Sequence, residues 1–375
     1  MRSITRRLAL GALAGLSGLA LATSASAQTR FQCPRVGGDL IFALEARVPG
    51  LDWHVSNSTA SRNVVLNVFE TLVTRDEQMN PVLELAQSLE ESADGLTYTF
   101  TLREGITFHN GKAMTSADVV ASFDRYRRVG VDRSILDIVA GWEAPNPRTF
   151  VIRLREARPT FIEQLSAFTV PVSIIPSENA GAEPNQLPIV GTGPFRLDEF
   201  RADSFVRLRR FDNYQPDTRH PNLQGFGGFK VACLDTVTFR MMPEAAARTA
   251  ALETGEVHGV EDVPPASQAR LRANTNIRMT RIENFWMNVT YPNFSAPPTD
   301  NPLVRQAILA AMDFEEIMEA KAGSSRASST RVSSTSPTPA RGSSTRRTAT
   351  GPARSCARPA IAARRSCCSR TANSR

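Results

Sequence analysis

Tyr98-Thr99-Phe100-Thr101-Leu102-Arg103-Glu104-Gly105-Ile106-Thr107-Phe108-His109-Asn110-Gly111-Lys112 carries more architectural information than any other part of the chain. Tyr98, Phe100 and Leu102 alternate with Thr99, Thr101 and Arg103, the period of a strand with one buried face. Glu104-Gly105 breaks that period, Ile106 and Phe108 resume it, and Asn110-Gly111 supplies a tight turn. A helix is expected at once. Thr115 is its N-cap, Asp118 stands where it can close a capping box, and Val119, Val120, Phe123 and Tyr126 form the apolar stripe.

No residue of this stretch is suited to catalysis, so it specifies a scaffold. Outward from it, further strands are expected at Val36 to Leu44, Thr149 to Leu154 and Val237 to Arg240. A strand pair is expected from Phe195 to Leu197 and Phe205 to Arg210. Val64, Val65, Val68, Phe69 and Leu72 suggest one helix, and Glu244 to Thr254 another that stops at Gly255. Val257 to Val260 leads into a loop marked by Pro264-Pro265. Strands and helices mixed without strict alternation place the chain in the α/β class, with mixed α+β sheets.

The order of residues from Tyr98 to Lys112 closely resembles a signature of the family 5 extracellular solute-binding proteins, the periplasmic peptide, dipeptide and nickel receptors of ABC importers. Five other segments agree in order: Gly37-Gly38-Asp39-Leu40, Leu51-Asp52, Val68-Phe69-Glu70-Thr71-Leu72, Gly191-Thr192-Gly193-Pro194-Phe195 and Val304-Arg305-Gln306-Ala307-Ile308. The resemblance covers roughly residues 36 to 320 and is closest to the dipeptide branch. Trp53 departs from it, since the family more often has a small residue or proline after Leu-Asp. It implies two lobes, the first discontinuous (28–72 plus 191–284) with a subdomain (73–190) inserted, and the second beginning at 285–321. It also implies a monomer that captures a small peptide for an inner-membrane ABC permease. Nickel chelate, opine and oligosaccharide are alternative cargoes.

Both termini are unusual. Arg2, Arg6 and Arg7, the apolar run Leu8 to Leu21 and Ala25-Ser26-Ala27 describe an export signal of residues 1–27, cleaved after Ala27, and hence a periplasmic protein. The apolar run, about 14 residues, is short for a membrane span. Thr5-Arg6-Arg7-Leu8 also resembles a twin-arginine signal, which leaves the export route open. From Ala322 to Arg375 the chain is almost wholly Ser, Arg, Ala, Thr and Pro, with no acidic residue and only Val332 and Ile361 as large aliphatics, and is expected to be disordered. A basic nucleic-acid-binding tail is one interpretation; a stretch translated out of frame, leaving a defective fragment or a non-functional pseudogene product, is the one favoured here. Eleven of the 44 basic residues lie in that tail and three in the signal, which leaves 30 basic against 37 acidic residues and a net charge of −7 for the body. The overall +7 therefore gives no indication of a nucleic-acid partner.

Catalytic and metal chemistry find no carriers. Four histidines, His54, His109, His220 and His258, have no second ligand at metal spacing. Gly191-Thr192-Gly193-Pro194 lacks the rest of a dinucleotide fingerprint, and Gly111-Lys112 is not followed by Ser or Thr. Carboxylate pairs such as Glu261-Asp262 are too common to imply acid–base work. No cofactor and no enzyme activity are expected. Cys33 and Cys233 precede the tail; in an oxidising compartment they are read as a disulfide, two buried thiols being the alternative.

The expected ligand-binding residues are Asn57, Ser58 and Thr59 in a first-lobe loop, Asp262 after the strand ending at Val260, and Phe285 and Trp286 where the chain crosses between lobes. A solvated turn at Ser56-Asn57-Ser58-Thr59 and core packing at Phe285-Trp286-Met287 are the plainer interpretations. Trp53 is either a lid over the site or a surface-anchored aromatic. In peptide-binding relatives the carboxylate that grips the α-ammonium lies in the second lobe, and no position here matches it, so weak or absent ligand binding is expected. Translating the gene in its other two frames downstream of codon 321 is expected to yield further receptor-like sequence; a result without any would show the tail to be genuine.

Overall fold

The computed structural model describes residues 30–280, 291–314 and 316. The proposed signal of residues 1–27, Phe285 and Trp286, and the tail of residues 322–375 lie outside them. Strand β1 (Asp39–Leu44) leads to helix α1 (Thr59–Val65), then β2 (Val73–Arg75), β3 (Pro81–Leu83), β4 (Ala86–Glu91) and β5 (Thr97–Leu102). Helix α2 (Ser116–Val129), β6 (Val139–Asn146), β7 (Thr149–Leu154) and α3 (Phe161–Leu165) follow. After a long irregular stretch come β8 (Phe195–Arg201), β9 (Phe205–Arg210), β10 (Leu223–Gln224), β11 (Gly227–Gly228) and β12 (Thr236–Met241). The described part closes with α4 (Ala245–Thr254), β13 (Gly259–Val260), α5 (Pro265–Ala273) and α6 (Pro302–Ala311).

Two main sheets result. One has the order β4-β5-β7-β6 and is antiparallel throughout. Along β5 every second residue, Tyr98, Phe100 and Leu102, is buried, as the alternation predicted. These side chains pack with Phe123 and Tyr126 of α2 and Phe150 and Ile152 of β7. The Phe123 and Phe150 rings lie 4.8 Å apart, a tilted aromatic contact that adds to the area each ring buries. Helix α2 starts as expected: Asp118 Oδ2 accepts from the Thr115 backbone N–H at 2.9 Å and from its hydroxyl at 3.1 Å.

The second sheet has the order β13-β1-β12-β9-β8. Its central strand β12 runs parallel to β1 and antiparallel to β9, while β13 runs parallel to β1 at the edge. Leu44, Val64, Val65, Phe69, Val206, Leu208 and Phe239 form its core with α1. Cys33 and Cys233 form a disulfide with a Cα–Cα distance of 5.5 Å across 200 residues of sequence. In the chain-entropy picture, closing so long a loop stabilises by about 4–5 kcal/mol.

The helix expected through Leu72 ends at Val65. The carbonyls of Asn67 and Val68 accept instead from Phe195 and Gly193, at 3.0 and 2.9 Å, so the chain must turn to meet the Gly191–Phe195 segment. The approach is close enough to require glycine. A Cβ on Gly191 would lie 2.0 Å from the Val68 carbonyl oxygen, and one on Gly193 2.6 Å from that of Asn67. Pro265 likewise opens α5 rather than extending a loop; proline suits the first helical position, where no N–H is needed.

His109 clasps the same glycine segment. Its Nδ1 accepts from the Gly191 N–H at 3.2 Å, which fixes the tautomer so that Nε2–H donates to the Gly193 carbonyl at 2.9 Å. Between the glycines, the Thr192 hydroxyl donates to buried Glu70 at 2.9 Å, and the Tyr214 hydroxyl donates to the other Glu70 oxygen at 2.9 Å. A further joint is the ion pair of Asp52 and Arg125, whose side chains are 1% and 0% exposed and meet at 3.0 and 2.6 Å. Beside it His54 is wholly buried, its Nε2–H donating to the Ser173 carbonyl at 2.8 Å and its ring edge-on to Tyr126.

Burial holds both His54 and His109 at about 4, below the ordinary 6.5. Between those values the unfolded chain binds protons that the folded one refuses. Their contribution is therefore complete above pH 6.5 and falls as pH drops toward 4, by up to about 1.4 kcal/mol per pH unit for each histidine. Denaturant titrations at stepped pH are expected to show this decline, and a flat stability across the window would contradict it.

Candidate ligand-binding rim

Strands β1 and β13 are parallel, so their carboxyl ends lie together, the position at which open α/β sheets expose their binding loops. The residues just past those ends are Glu45 on one strand and Glu261 and Asp262 on the other. Glu261 is a brace. One of its oxygens accepts from the Glu45 backbone N–H at 2.8 Å, and the other from the Asn63 amide of α1 at 3.0 Å. Asp262 sits in the left-handed region, with φ at +50°, and its carbonyl accepts from Arg248 at 3.3 Å. Its side chain is hydrogen-bonded to that of Glu45.

Glu45 is raised above the usual carboxylate range, first by partial removal from water, then by the charge of Asp262 and a hydrogen bond to it, and then by Glu261. Arg248, 3.9 Å away, pulls the other way but also serves the carbonyls of Met242 and Pro243. Two carboxyl groups crowded together make a surface that a cation would relieve. A primary ammonium, with three donors, is the organic group that fits.

The predicted loop borders this rim through α1. Ser58 is the N-cap of α1, its hydroxyl accepting from the Ser61 N–H at 3.5 Å. Asn57 and Thr59 flank it, their side chains exposed and without a hydrogen-bond partner among the described residues. Ser58 thus has a structural duty, while its two neighbours offer free polar groups. Trp53 is neither lid nor surface anchor: it is 4% exposed and packed in the core of the β1 sheet. Of the sequence-predicted residues, Asp262 stands at the rim and Asn57, Ser58 and Thr59 lie at the start of the helix that Asn63 ties to it. Glu45 and Asn63 were missed, because an acid after a strand and an amide on a short helix carry no spacing signal. An open hollow of about 400 Å³ lined by Arg30, Thr218, Arg219 and Pro221 includes none of these residues.

The comparisons with known proteins agree with this architecture. The model for the middle region of the bacterial extracellular solute-binding proteins, family 5, matches residues 80–356, and so runs past Ala322. Glutathione-binding protein GsiB of Escherichia coli K12 is 31% identical over 307 residues, 80% of this chain and 56% of the relative. The chain thus spans a little over half the length of the curated relatives it matches. Among solved structures, the binding protein AgaA of A. tumefaciens R10, in complex with agropinic acid, is 27% identical with a TM-score of 0.54 over 64% of this chain and 46% of that one. The dipeptide-binding protein of Pseudoalteromonas sp. SM9913, in complex with Met-Leu, is 22% identical and shares the fold, with a TM-score of 0.64 over 76% of this chain and 59% of that one. The fold is the mixed α/β one of two-lobed periplasmic binding proteins.

Replacing Asp262 by Asn keeps the turn and removes the neighbouring charge. The Glu45 carboxyl of Asp262→Asn is expected to titrate at lower pH than in the parent, read by carbon-detected NMR of its side chain. An unchanged midpoint would show that Asp262 does not crowd it.

Proposed function

Since the chain belongs to family 5 of the bacterial extracellular solute-binding proteins, we propose that it captures a peptide-class solute for an ABC importer and performs no chemistry of its own. The acidic rim formed by Glu45 and Asp262 carries this proposal, because two neighbouring carboxyl groups, with Arg248 no nearer than 3.9 Å to Glu45, suit a group such as a peptide's α-ammonium. Beside it, β13 is an edge strand, and an extended peptide can pair with such an edge through its backbone alone. Backbone pairing with hydrated room for side chains gives affinity without strict sequence preference.

In this proposal residues 28–72 and 191–284 make the first lobe and 73–190 the inserted subdomain, matching the division of strands between the two main sheets. Asn57, Thr59 and Asp262 contact the solute from the first lobe, and Phe285 and Trp286 stand at the crossing to the second. The protein is a periplasmic monomer freed of residues 1–27 and docks on an inner-membrane permease. Among the described residues no helix is long and apolar enough to cross a membrane. The acid-free composition of residues 322–375 supports an out-of-frame origin for that stretch, which makes this polypeptide a weak binder. An opine in place of a peptide is a second reading, favoured by the similarity to AgaA, whose structure holds agropinic acid; an opine also joins an amino acid to a polar body.

Titrating the chain with Ala-Ala and with N-acetyl-Ala-Ala separates these ideas from simple stickiness. Weak NMR shifts at Asp262 and Glu45 are expected with the free amine and not with the acetylated form. Equal responses, or none at any solubility-limited concentration, would overturn the proposal.

A further inference from the structure

Arginines removed from water in this structure are satisfied by oxygen. Arg125 has Asp52, Arg219 has Asp217, Arg103 has the carbonyls of Glu84 and Gln215, and Arg248 those of Met242 and Pro243. Arg305 has the carbonyls of Thr299 and Asp300. Arg62 is the exception among the described residues: half-buried, its guanidinium makes no hydrogen bond and no ion pair. The contact it does make is with Phe168, over whose ring the guanidinium carbon stands 4.5 Å from the centroid. Phe168 in turn meets Phe226 edge-on at 6.2 Å, and Phe226 is anchored by its N–H to the Arg75 carbonyl at 2.9 Å.

The physical consequence is a guanidinium held in place with its donors unused. Stacking on an aromatic face fixes the plane of the group and leaves its edge, with five N–H donors in a fork, open for a planar anion. Loss of water around it already lowers its hold on the proton, and no nearby carboxylate offsets that loss. A half-buried cation without a counter-charge is an unfavourable arrangement that an incoming anion would correct. The site is also placed to matter. The next residue along α1, Asn63, is bonded to Glu261 of the acidic rim, so the short helix that carries the free guanidinium is also tied to that rim.

We propose that Arg62, backed by Phe168 and Phe226, is a carboxylate-binding subsite of the rim, and that the solute therefore carries a carboxylate as well as an ammonium group. This deepens the peptide-class proposal and rests on it for the identity of the cargo, although the subsite itself can be tested alone. Bidentate pairing to the guanidinium edge would set the distance and direction from the ammonium-binding end, which selects among zwitterions by their length.

The test uses the whole chain labelled on the arginine Nε, with glutarate as a probe that has carboxylates and no ammonium. The Arg62 Nε–H resonance, assigned by its loss in Arg62→Gln, is expected to shift saturably with glutarate while other arginine signals stay put. Arg62→Lys, which keeps the charge but not the fork, is expected to weaken glutarate binding by about tenfold. Raising salt should weaken it further. An Arg62 signal that glutarate leaves unmoved would overturn the subsite, as would a shift no larger than that from inorganic phosphate, since the geometry argued is planar and bidentate. Because glutarate lacks an amine, a positive result here stands even if the Ala-Ala titration fails, and a negative one removes the subsite without touching the acidic rim.

Discussion

The buried pair of Asp52 and Arg125 holds the separate parts of this molecule in register. Asp52 belongs to the loop that leaves β1, and Arg125 lies in the middle of α2, which packs on the other sheet. The second Asp52 oxygen also accepts from the Asn185 N–H at 3.0 Å, and Arg125 reaches the carbonyls of Ala182 and Glu183. Three stretches of chain far apart in sequence therefore share one charge pair. Such a pair adds little net stability compared with a well-packed apolar substitute, yet losing one partner strands the other and costs about 3–5 kcal/mol. Its value is positional. It fixes where the loop to α1, and hence the candidate rim, sits relative to the inserted elements.

The other signature segments turn out to serve the same joint. Glu70 receives the hydroxyls of Thr192 and Tyr214, His109 clasps the glycines on either side of Thr192, and those glycines are small because the carbonyls of Asn67 and Val68 press against them. Residues whose pattern revealed the fold are thus largely mechanical. The side chains proposed to meet solute come from elsewhere, from the strand ends and the exposed turn of α1.

This division explains what the sequence made legible. Period-two alternation announced β5 because one face meets an aromatic core and the other does not. Thr115 with Asp118, and Gly255 in its left-handed turn, announced helix ends because capping chemistry is local. The end of α1 at Val65 was invisible, since it is set by hydrogen bonds to Gly193 and Phe195, far downstream in the chain. Trp53 could not be placed from sequence for the same reason: its core neighbours are brought to it by the sheet. The place of Asp262 after a strand was legible, whereas the nearness of Glu45 to it emerged only when parallel pairing set the two strand ends side by side. Arg62 gave no signal at all, because what distinguishes it is the absence of a partner, and that is a property of three-dimensional surroundings.

The pairing of β1 with β12 also governs the order in which the molecule can be assembled. Asp39 and Thr236, hydrogen-bonded neighbours in the finished sheet, are 197 residues apart. A chain emerging N-terminus first must keep its opening strand without its β12 partner until 197 further residues have followed. The antiparallel β4-β5-β7-β6 sheet has no such wait, because its strands are near neighbours along the chain. Closing the long circuit is entropically slow, which favours a sequence of events in which the inserted sheet forms early and the first strand is captured late, when β12 arrives.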